Sequence, residues 1–117
     1  MKSVCVFCGS RDGVKPIYKQ KAIELGAVLA KQNIAVVYGG GSIGIMGGVA
    51  HSAHDNGGKV TGIIPSFMIE EASHKLDDLI VVTTMHERKA KMENMSEGFI
   101  ALPGLIWIYL FLLIFII

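Results

Sequence analysis

Residues 34–48, IAVVYGGGSIGIMGG, are the strongest indication of the fold, because an apolar strand in them runs directly into a glycine-rich turn. The strand is predicted at 34–38, and the residues from the glycines to about Asn56 are typical of a helix. The pair Gly57-Gly58 is expected to end that helix. A strand, a turn and a helix in this order predict one unit of a parallel α/β sheet.

Further strands and helices alternate on both sides of this unit. The sequence predicts strands at 2–8, 59–64, 79–82 and 99–102, and helices at 16–32 and 85–97. Residues 66–78 are largely polar, and we expect a loop or a short helix there. The alternation predicts a Rossmann-like, doubly wound parallel sheet, in which ligands bind at the carboxyl ends of the strands.

Composition and charge narrow the class of protein. The chain has 117 residues, of which 51% are hydrophobic and 18% charged, and this excludes a disordered or fibrous chain. Its net charge is +1 with lysines and arginines scattered along it, so we expect no binding of nucleic acid or of an anionic membrane. The first residues lack the apolar core of a signal peptide, and a cytoplasmic location is expected.

The residues 105–117 are all apolar and differ from the rest of the chain. As a helix they would extend about 20 Å, which is short of the roughly 30 Å hydrocarbon core of a bilayer. We therefore expect a domain at 1–104 followed by an apolar tail at 105–117. We favour three alternatives over a membrane anchor. The tail is buried, in the domain or in a dimer partner, or it is an exposed end, or it is an accidental addition.

The glycine turn is the first candidate for chemistry. Glycines let backbone N–H groups approach an anion, and the following helix adds the positive end of its dipole. The spacing Gly39-x-Gly41-x-x-Gly44 matches a dinucleotide fingerprint, but Lys59 stands where that fingerprint needs an acidic residue. No Lys-Ser or Lys-Thr of a P-loop follows. A mononucleotide or sugar phosphate is therefore predicted; the alternative is a tight turn without a ligand.

A second candidate lies at the start of the helix predicted at 85–97. Met85, Arg88, Lys89 and Met92 share one helical face, and the two methionines are expected to point inward. The Arg88 guanidinium suits a fork-like grip on phosphate or carboxylate, and Lys89 adds a point charge.

Histidines and cysteines add no candidate site. His51, His54, His74 and His86 lack metal-ligand spacing, and we expect them to face mostly solvent. Cys5 and Cys8 are three apart in a predicted strand and so face opposite sides, which disfavours a disulfide or a shared metal. No metal and no cofactor are expected.

Several motifs together resemble one known family. They are Cys8-Gly9-Ser10, Pro16-x-Tyr18, Tyr38-Gly39-Gly40-Gly41, Gly44-Ile45-Met46-Gly47, Gly62-Ile63-Ile64-Pro65, Met85-His86-Glu87-Arg88-Lys89 and Phe99-Ile100-Ala101-Leu102-Pro103-Gly104. In this order and spacing, over 1–104, the chain resembles the Lonely Guy family, once labelled possible lysine decarboxylases. The resemblance implies a Rossmann-like fold, a homodimer, and metal-free hydrolysis of the N-glycosidic bond of nucleoside 5′-monophosphates, either cytokinin riboside monophosphates or AMP.

Motifs and resemblance together give a set of expected site residues. The resemblance implies substrate contacts for Arg88 and Lys89 and for one acidic residue, either Glu70 or Glu71, between which the alignment does not choose. The predicted substrate-binding residues are Gly9, Ser10, Gly40, Gly41, Ser42, Glu70, Glu71, Met85, Arg88 and Lys89. Arg88 is also the predicted catalytic residue.

The chain departs from the family pattern P-G-G-x-G-T-x-x-E after Pro103-Gly104, and Phe111 falls at the position of the catalytic glutamate. A carboxylate there can activate water and stabilise the oxocarbenium-like transition state. Loss of a general base typically costs about 10²- to 10⁴-fold in rate. The sequence therefore predicts a nucleotide N-glycosidase by family, truncated or altered after Gly104, with weak or lost activity. The alternative is a non-catalytic module for nucleotide phosphate binding or for assembly.

Overall fold

The computed structural model describes residues 2–7 and 16–102, which form five strands and three α-helices around one sheet. In chain order the elements are β1 (Ser3–Phe7), α1 (Pro16–Lys31), β2 (Ala35–Tyr38), α2 (Gly44–Asp55), β3 (Val60–Pro65), a 3₁₀ helix (Ser66–Glu71), β4 (Asp78–Val82), α3 (Met85–Asn94) and β5 (Gly98–Ala101). The predicted strands and helices are confirmed with small shifts at their ends. The prediction was wrong for the end of α3, because the chain already turns toward β5 after Asn94.

The five strands are parallel and lie in the order β4-β3-β2-β1-β5. The chain builds outward from β1 to β4 and then returns to place β5 on the other side of β1. Such a reversal of strand order opens a crevice at the carboxyl ends of the strands, where α/β proteins bind ligands. Residues 8–15, after β1, and 103–117, after β5, lie outside the described part of the chain.

Helices cover both faces of the sheet, which confirms the doubly wound prediction. Helices α1 and α2 pack on one face, where the core includes Val4, Val6, Leu29, Val36, Tyr38, Ile45, Val49 and Val60. Helix α3 packs on the other face, where Met92 joins Cys5, Phe7, Val37, Ile63 and Val82. Because alternate residues of each strand enter the two cores, the inner strands are mostly apolar.

The predicted tail at 105–117 lies outside the described residues, as does Cys8. Within residues 2–7 and 16–102, no helix is both long and apolar enough to cross a bilayer.

Helices α1 and α2 approach each other most closely at Gly26. A Cβ atom at this position would lie 2.9 Å from the backbone nitrogen of Ala53 and 2.9 Å from the Cβ of Ser52. The Ser52 hydroxyl donates a hydrogen bond of 2.5 Å to the Ile23 carbonyl and ties the helices together at the same place. Glycine at position 26 therefore sets the distance between the helices.

Segment 72–77 connects the 3₁₀ helix to β4 and is held against α2. Ser73 Oγ lies 2.7 Å from His51 Nε2, and Lys75 Nζ lies 3.6 Å from Asp55 Oδ2. His51 is half-buried, so the expectation of a solvent-facing side chain was wrong for this histidine. Burial, and then the positive charge of Lys75, lower the pKa of His51 from its ordinary 6.5.

We predict that Gly26→Ala destabilises the protein while Gly48→Ala, on the facing helix, does not. Overpacking against backbone costs about 1–3 kcal/mol, more than the roughly 0.5–1 kcal/mol that alanine gains over glycine in a helix. A Cβ at Gly48 meets nothing closer than 3.6 Å, so only the gain applies there. Urea unfolding measures both changes, and equal shifts for the two variants would contradict the close approach.

We also predict that His51 makes stability depend on pH. The pKa of His51 is lower in the folded chain than in the unfolded chain, so protonation of His51 favours unfolding. Its contribution to stability is therefore complete above about pH 6.5 and is lost as the pH falls. Lys75, His54 and Lys19 oppose protonation of His51, whereas Asp55 favours it. Urea unfolding from pH 8 to 5 should therefore show a smaller loss of stability for His51→Gln than for the unmodified chain. His86→Gln, at an exposed position, is the control. If the unfolding free energy falls with pH as steeply in His51→Gln as in the unmodified chain, His51 is not the cause of the pH dependence.

Candidate functional site

The glycine turn after β2 is held in place from two sides. Gly40 has φ +82°, a left-handed conformation that favours glycine. The Tyr38 hydroxyl donates a 2.8 Å hydrogen bond to the Gly41 carbonyl, and the Ser73 N–H donates one of 2.8 Å to the Gly40 carbonyl. A β-bridge between Gly41 and Ala72 reinforces the second contact. The turn is therefore pre-formed, with both of these carbonyls occupied.

Helix α2 begins at this turn without a side-chain cap. Its N-cap residue is Ile43, which makes no capping hydrogen bond, whereas the Thr84 hydroxyl caps α3 by accepting from Glu87 N at 3.0 Å. A Cβ at Gly47 would lie 2.6 Å from the Ser42 carbonyl carbon, so glycine lets the turn fold tightly onto α2. Uncapped amides at a helix N-terminus beside a glycine turn can bind a phosphate.

Arg88 connects α3 to the carboxyl ends of β2 and β3. Its Nε donates a 2.9 Å hydrogen bond to the Ile63 carbonyl, and one terminal nitrogen donates to the Gly39 carbonyl. The other terminal nitrogen lies 3.8 Å from the Met85 sulfur, the weakest of the three contacts. The side chain is 9% exposed. Two of its nitrogens thus hold the backbone at the base of the glycine turn, and the third is the donor best placed for a ligand.

The charge of Arg88 is partly balanced by an acidic neighbour. Burial lowers the pKa of Arg88, and the negative charge of Glu71 acts in the opposite direction. Burial also raises the pKa of Cys5 to about 12, which keeps this thiol protonated beneath the site.

The two methionines predicted on the same face of α3 as Arg88 differ in their burial. Met92 is buried in the core under α3, but Met85 is 45% exposed, so the expectation that both methionines point inward was wrong for Met85. Met85 is the first residue of α3, where the helix has no preceding turn to cover it. Lys89 is half-buried beside Arg88, and Ser42 is exposed at the glycine turn.

Several predicted residues lie outside the described part of the chain. These are Gly9, Ser10, Pro103, Gly104 and Phe111. Among the described residues, no group of three or more histidine, cysteine or acidic side chains could hold a metal ion.

Sequence reasoning missed two residues that shape the turn, Tyr38 and Ser73. A signal was present for Tyr38, because a buried tyrosine directly before a glycine run needs a partner for its hydroxyl. Ser73 gave no signal, because its contact with Gly40 depends on how segment 72–77 folds over the sheet. The sequence also gave no signal for the Ile63 carbonyl, which accepts a hydrogen bond from Arg88.

Comparison with known proteins identifies a family model and several curated relatives that the chain resembles. The model of the family described as possible lysine decarboxylase matches residues 46–106. A probable cytokinin riboside 5′-monophosphate phosphoribohydrolase of Oryza sativa subsp. japonica is 48% identical over 105 residues, 88% of this chain and 43% of the relative. A cytokinin riboside 5′-monophosphate phosphoribohydrolase of Arabidopsis thaliana is 45% identical, over 88% of this chain and 49% of the relative. The chain thus spans less than half the length of these two relatives.

Solved structures agree on the fold. A crystal structure of a structural-genomics target aligns with TM-score 0.79 and 25% identity, over 97% of this chain and 67% of that one. The molybdenum cofactor binding protein of Rippkaea orientalis aligns with TM-score 0.75 and 25% identity, over 90% of this chain and 64% of that one. From the family model, which matches about half of the sequence, and the agreement with its curated relatives, we conclude that the chain belongs to the Lonely Guy family of possible lysine decarboxylases.

Proposed function

We propose that the chain binds a nucleoside 5′-monophosphate, with the phosphate at the glycine turn 39–44 and the sugar directed toward Arg88. The observation that carries this proposal is the buried contact between Arg88 and the Gly39 carbonyl, which fixes the turn to the N-terminus of α3. The uncapped amides of α2 then meet the phosphate, and Lys89 adds positive charge nearby. The relatives, named as phosphoribohydrolases of cytokinin riboside 5′-monophosphates, support this class of substrate.

We assign Glu71 the role of the acidic substrate contact. Its carboxylate can accept hydrogen bonds only, which suits the hydroxyl groups of a ribose. Its charge acts on Arg88, and we infer that a sugar held by Glu71 would meet the terminal nitrogen of Arg88 that contacts the Met85 sulfur. Arg88 would then touch the substrate through one terminal nitrogen while the others keep the turn in place. Gly9, Ser10, Gly40, Gly41, Ser42 and Met85 complete the proposed set of contacts.

The reaction of the family is hydrolysis at the anomeric carbon. Water adds to C1′ of the ribose, the C1′–N bond to the base breaks, and the base leaves with a proton. A carboxylate that activates the water and faces the developing positive charge supplies much of the rate. Phe111 stands at that position of the family pattern and can do neither. We therefore propose binding with weak or lost turnover in this chain.

Binding should depend on the phosphate of the ligand. Isothermal calorimetry should give saturable heat with AMP or isopentenyladenosine monophosphate, and affinity for adenosine about ten- to hundredfold lower, because charge-assisted hydrogen bonds contribute about 1.5–3 kcal/mol each. Equal affinity for AMP and adenosine would contradict a phosphate site at the turn.

Turnover should be slow in the same samples. Chromatography of AMP or isopentenyladenosine monophosphate incubated with the chain should show base release at least about 10²-fold slower than with the Arabidopsis relative assayed in parallel. Base release at the rate of the relative, abolished by Arg88→Ala, would overturn the proposal of weak activity and leave the binding proposal standing.

Arg88 should matter for both stability and binding. Arg88→Ala leaves the buried carbonyls of Gly39 and Ile63 without their donor, and each buried unsatisfied group costs about 1–3 kcal/mol. Urea unfolding should show this loss, and calorimetry should show no binding of AMP. Lys89→Ala should weaken AMP binding with little change in stability, and Lys91→Ala, at an exposed position of α3, is the control for both. Unchanged stability in Arg88→Ala would argue against the contacts described here.

A further inference from the structure

Ser73 joins the glycine turn to a side chain of helix α2. Its backbone N–H donates a hydrogen bond of 2.8 Å to the Gly40 carbonyl, and its Oγ lies 2.7 Å from His51 Nε2. Ser73 is 5% exposed, and the Lys75 N–H donates to the same Oγ at 3.1 Å. A single buried serine thus connects the turn that precedes α2 with a histidine about two helical turns into α2.

The other polar contacts of segment 72–77 hold it less firmly to α2. The ion pair of Lys75 with Asp55 spans 3.6 Å between side chains that are each 57% exposed, and such surface pairs contribute little to stability. Asp77 exchanges hydrogen bonds with Val60, which fixes the far end of the segment to β3. Of the two polar contacts with α2, the one between His51 and Ser73 is therefore the more shielded from solvent.

The glycine turn depends on segment 72–77 for its conformation. Gly40 has φ +82°, and a Cβ on Gly62 would lie 2.8 Å from its Cα, so the turn lies directly on β3. Consecutive glycines can adopt many backbone conformations, and contacts have to select one of them. The hydrogen bond from Ser73 to Gly40 and the bridge between Gly41 and Ala72 make this selection.

We propose that Ser73 is a positioning residue, which holds the glycine turn 39–44 in its ligand-binding conformation while its hydroxyl bonds to a neutral His51. This role rests on the proposed function, since the ligand is the phosphate of a nucleoside 5′-monophosphate. A neutral His51 can accept the Ser73 O–H at Nε2, whereas both ring nitrogens of a protonated His51 are donors. The Ser73 O–H then has to turn to another acceptor at a buried site, which weakens the link between α2 and the turn.

The groups around His51 set the sign of this effect. Lys75 on segment 72–77, His54 on α2 and Lys19 on α1 oppose protonation of His51, and Asp55 on α2 favours it. Burial has the largest influence, and the pKa of His51 is lowered from its ordinary 6.5. The link is therefore intact at neutral pH and weakens as the pH falls below about 6.5.

NMR of the ligand-free, ¹⁵N-labelled chain from pH 8 to 5 tests the link without any nucleotide. The amide signals of Gly40 and Gly41 should shift with the same midpoint as the His51 ring. These shifts should disappear in His51→Gln and persist in His74→Gln, at an exposed position of the same segment. Turn amides that do not follow the titration of His51 would overturn the proposal.

Ser73→Ala separates the link from a direct effect of the histidine charge. This variant keeps the N–H that donates to Gly40 and lacks only the hydroxyl. The His51 ring should still titrate in Ser73→Ala, while the accompanying shifts of the turn amides should fall several-fold. Undiminished shifts would show that the charge of His51 acts through space, and would also overturn the proposal. Far-UV circular dichroism at each pH confirms that the variants are folded, and His51→Gln carries the test at any pH where Ser73→Ala unfolds.

Calorimetry with AMP measures the consequence for binding. At pH 8, Ser73→Ala should bind AMP about two- to tenfold more weakly than the unmodified chain, which is the net contribution of about one hydrogen bond. From pH 8 to 5 the unmodified chain should lose several-fold more affinity than His51→Gln, with His74→Gln again the control. The AMP phosphate titrates in the same range for every variant, so the difference between variants is the readout.

The two measurements separate this role from the proposed function. If the unmodified chain binds no AMP at pH 8, the proposed function fails, and the ligand-free NMR titration still decides whether Ser73 links His51 to the turn. If AMP binds and Ser73→Ala matches the unmodified chain in affinity at every pH, Ser73 does not position the turn and the proposal is wrong.

Discussion

The guanidinium of Arg88 determines the geometry of the whole ligand edge, because it joins α3 to the carboxyl ends of β2 and β3. A buried charge is expensive unless it is paired and hydrogen-bonded. Here the carbonyls of Gly39 and Ile63 accept two of its hydrogen bonds, and the negative charge of Glu71 acts in its favour. The two hydrogen bonds fix the glycine turn, β3 and the start of α3 relative to one another. Removal of the guanidinium would therefore disturb all three.

The fold could be predicted from the sequence because its signals are local. Apolar strands, helical spacing and the glycines after β2 and α2 each act within a few residues, and the structure confirms the elements they predict. The site could be predicted only in part. The contact of His51 with Ser73 depends on how segment 72–77 folds against α2, and the sequence leaves the choice between Glu70 and Glu71 open. The exposure of Met85 depends on its place at the end of α3, which residue spacing alone does not reveal.

The reversal of strand order explains how the site divides along the chain. The described residues supply the glycine turn after β2, the acidic residue after β3 and the arginine on α3. The sequence that departs from the family pattern begins after Pro103-Gly104, which follows β5 and Leu102 in the chain. Under the proposed function, positioning of the substrate depends mainly on residues before this point, whereas Phe111 stands where the pattern has its carboxylate. The proposal therefore treats binding and turnover as separable properties.

Heteronuclear NMR of the ¹⁵N-labelled chain during titration with AMP would show whether the glycine turn holds a nucleotide phosphate. Backbone amides report on anion contact because the turn and the first residues of α2 would donate to the phosphate. We predict that the largest chemical-shift changes fall on the amides of 40–45 and on the Nε–H of Arg88, and that adenosine leaves the turn amides unshifted. Shifts confined to other parts of the sheet, or no saturable shift at the turn, would contradict the account.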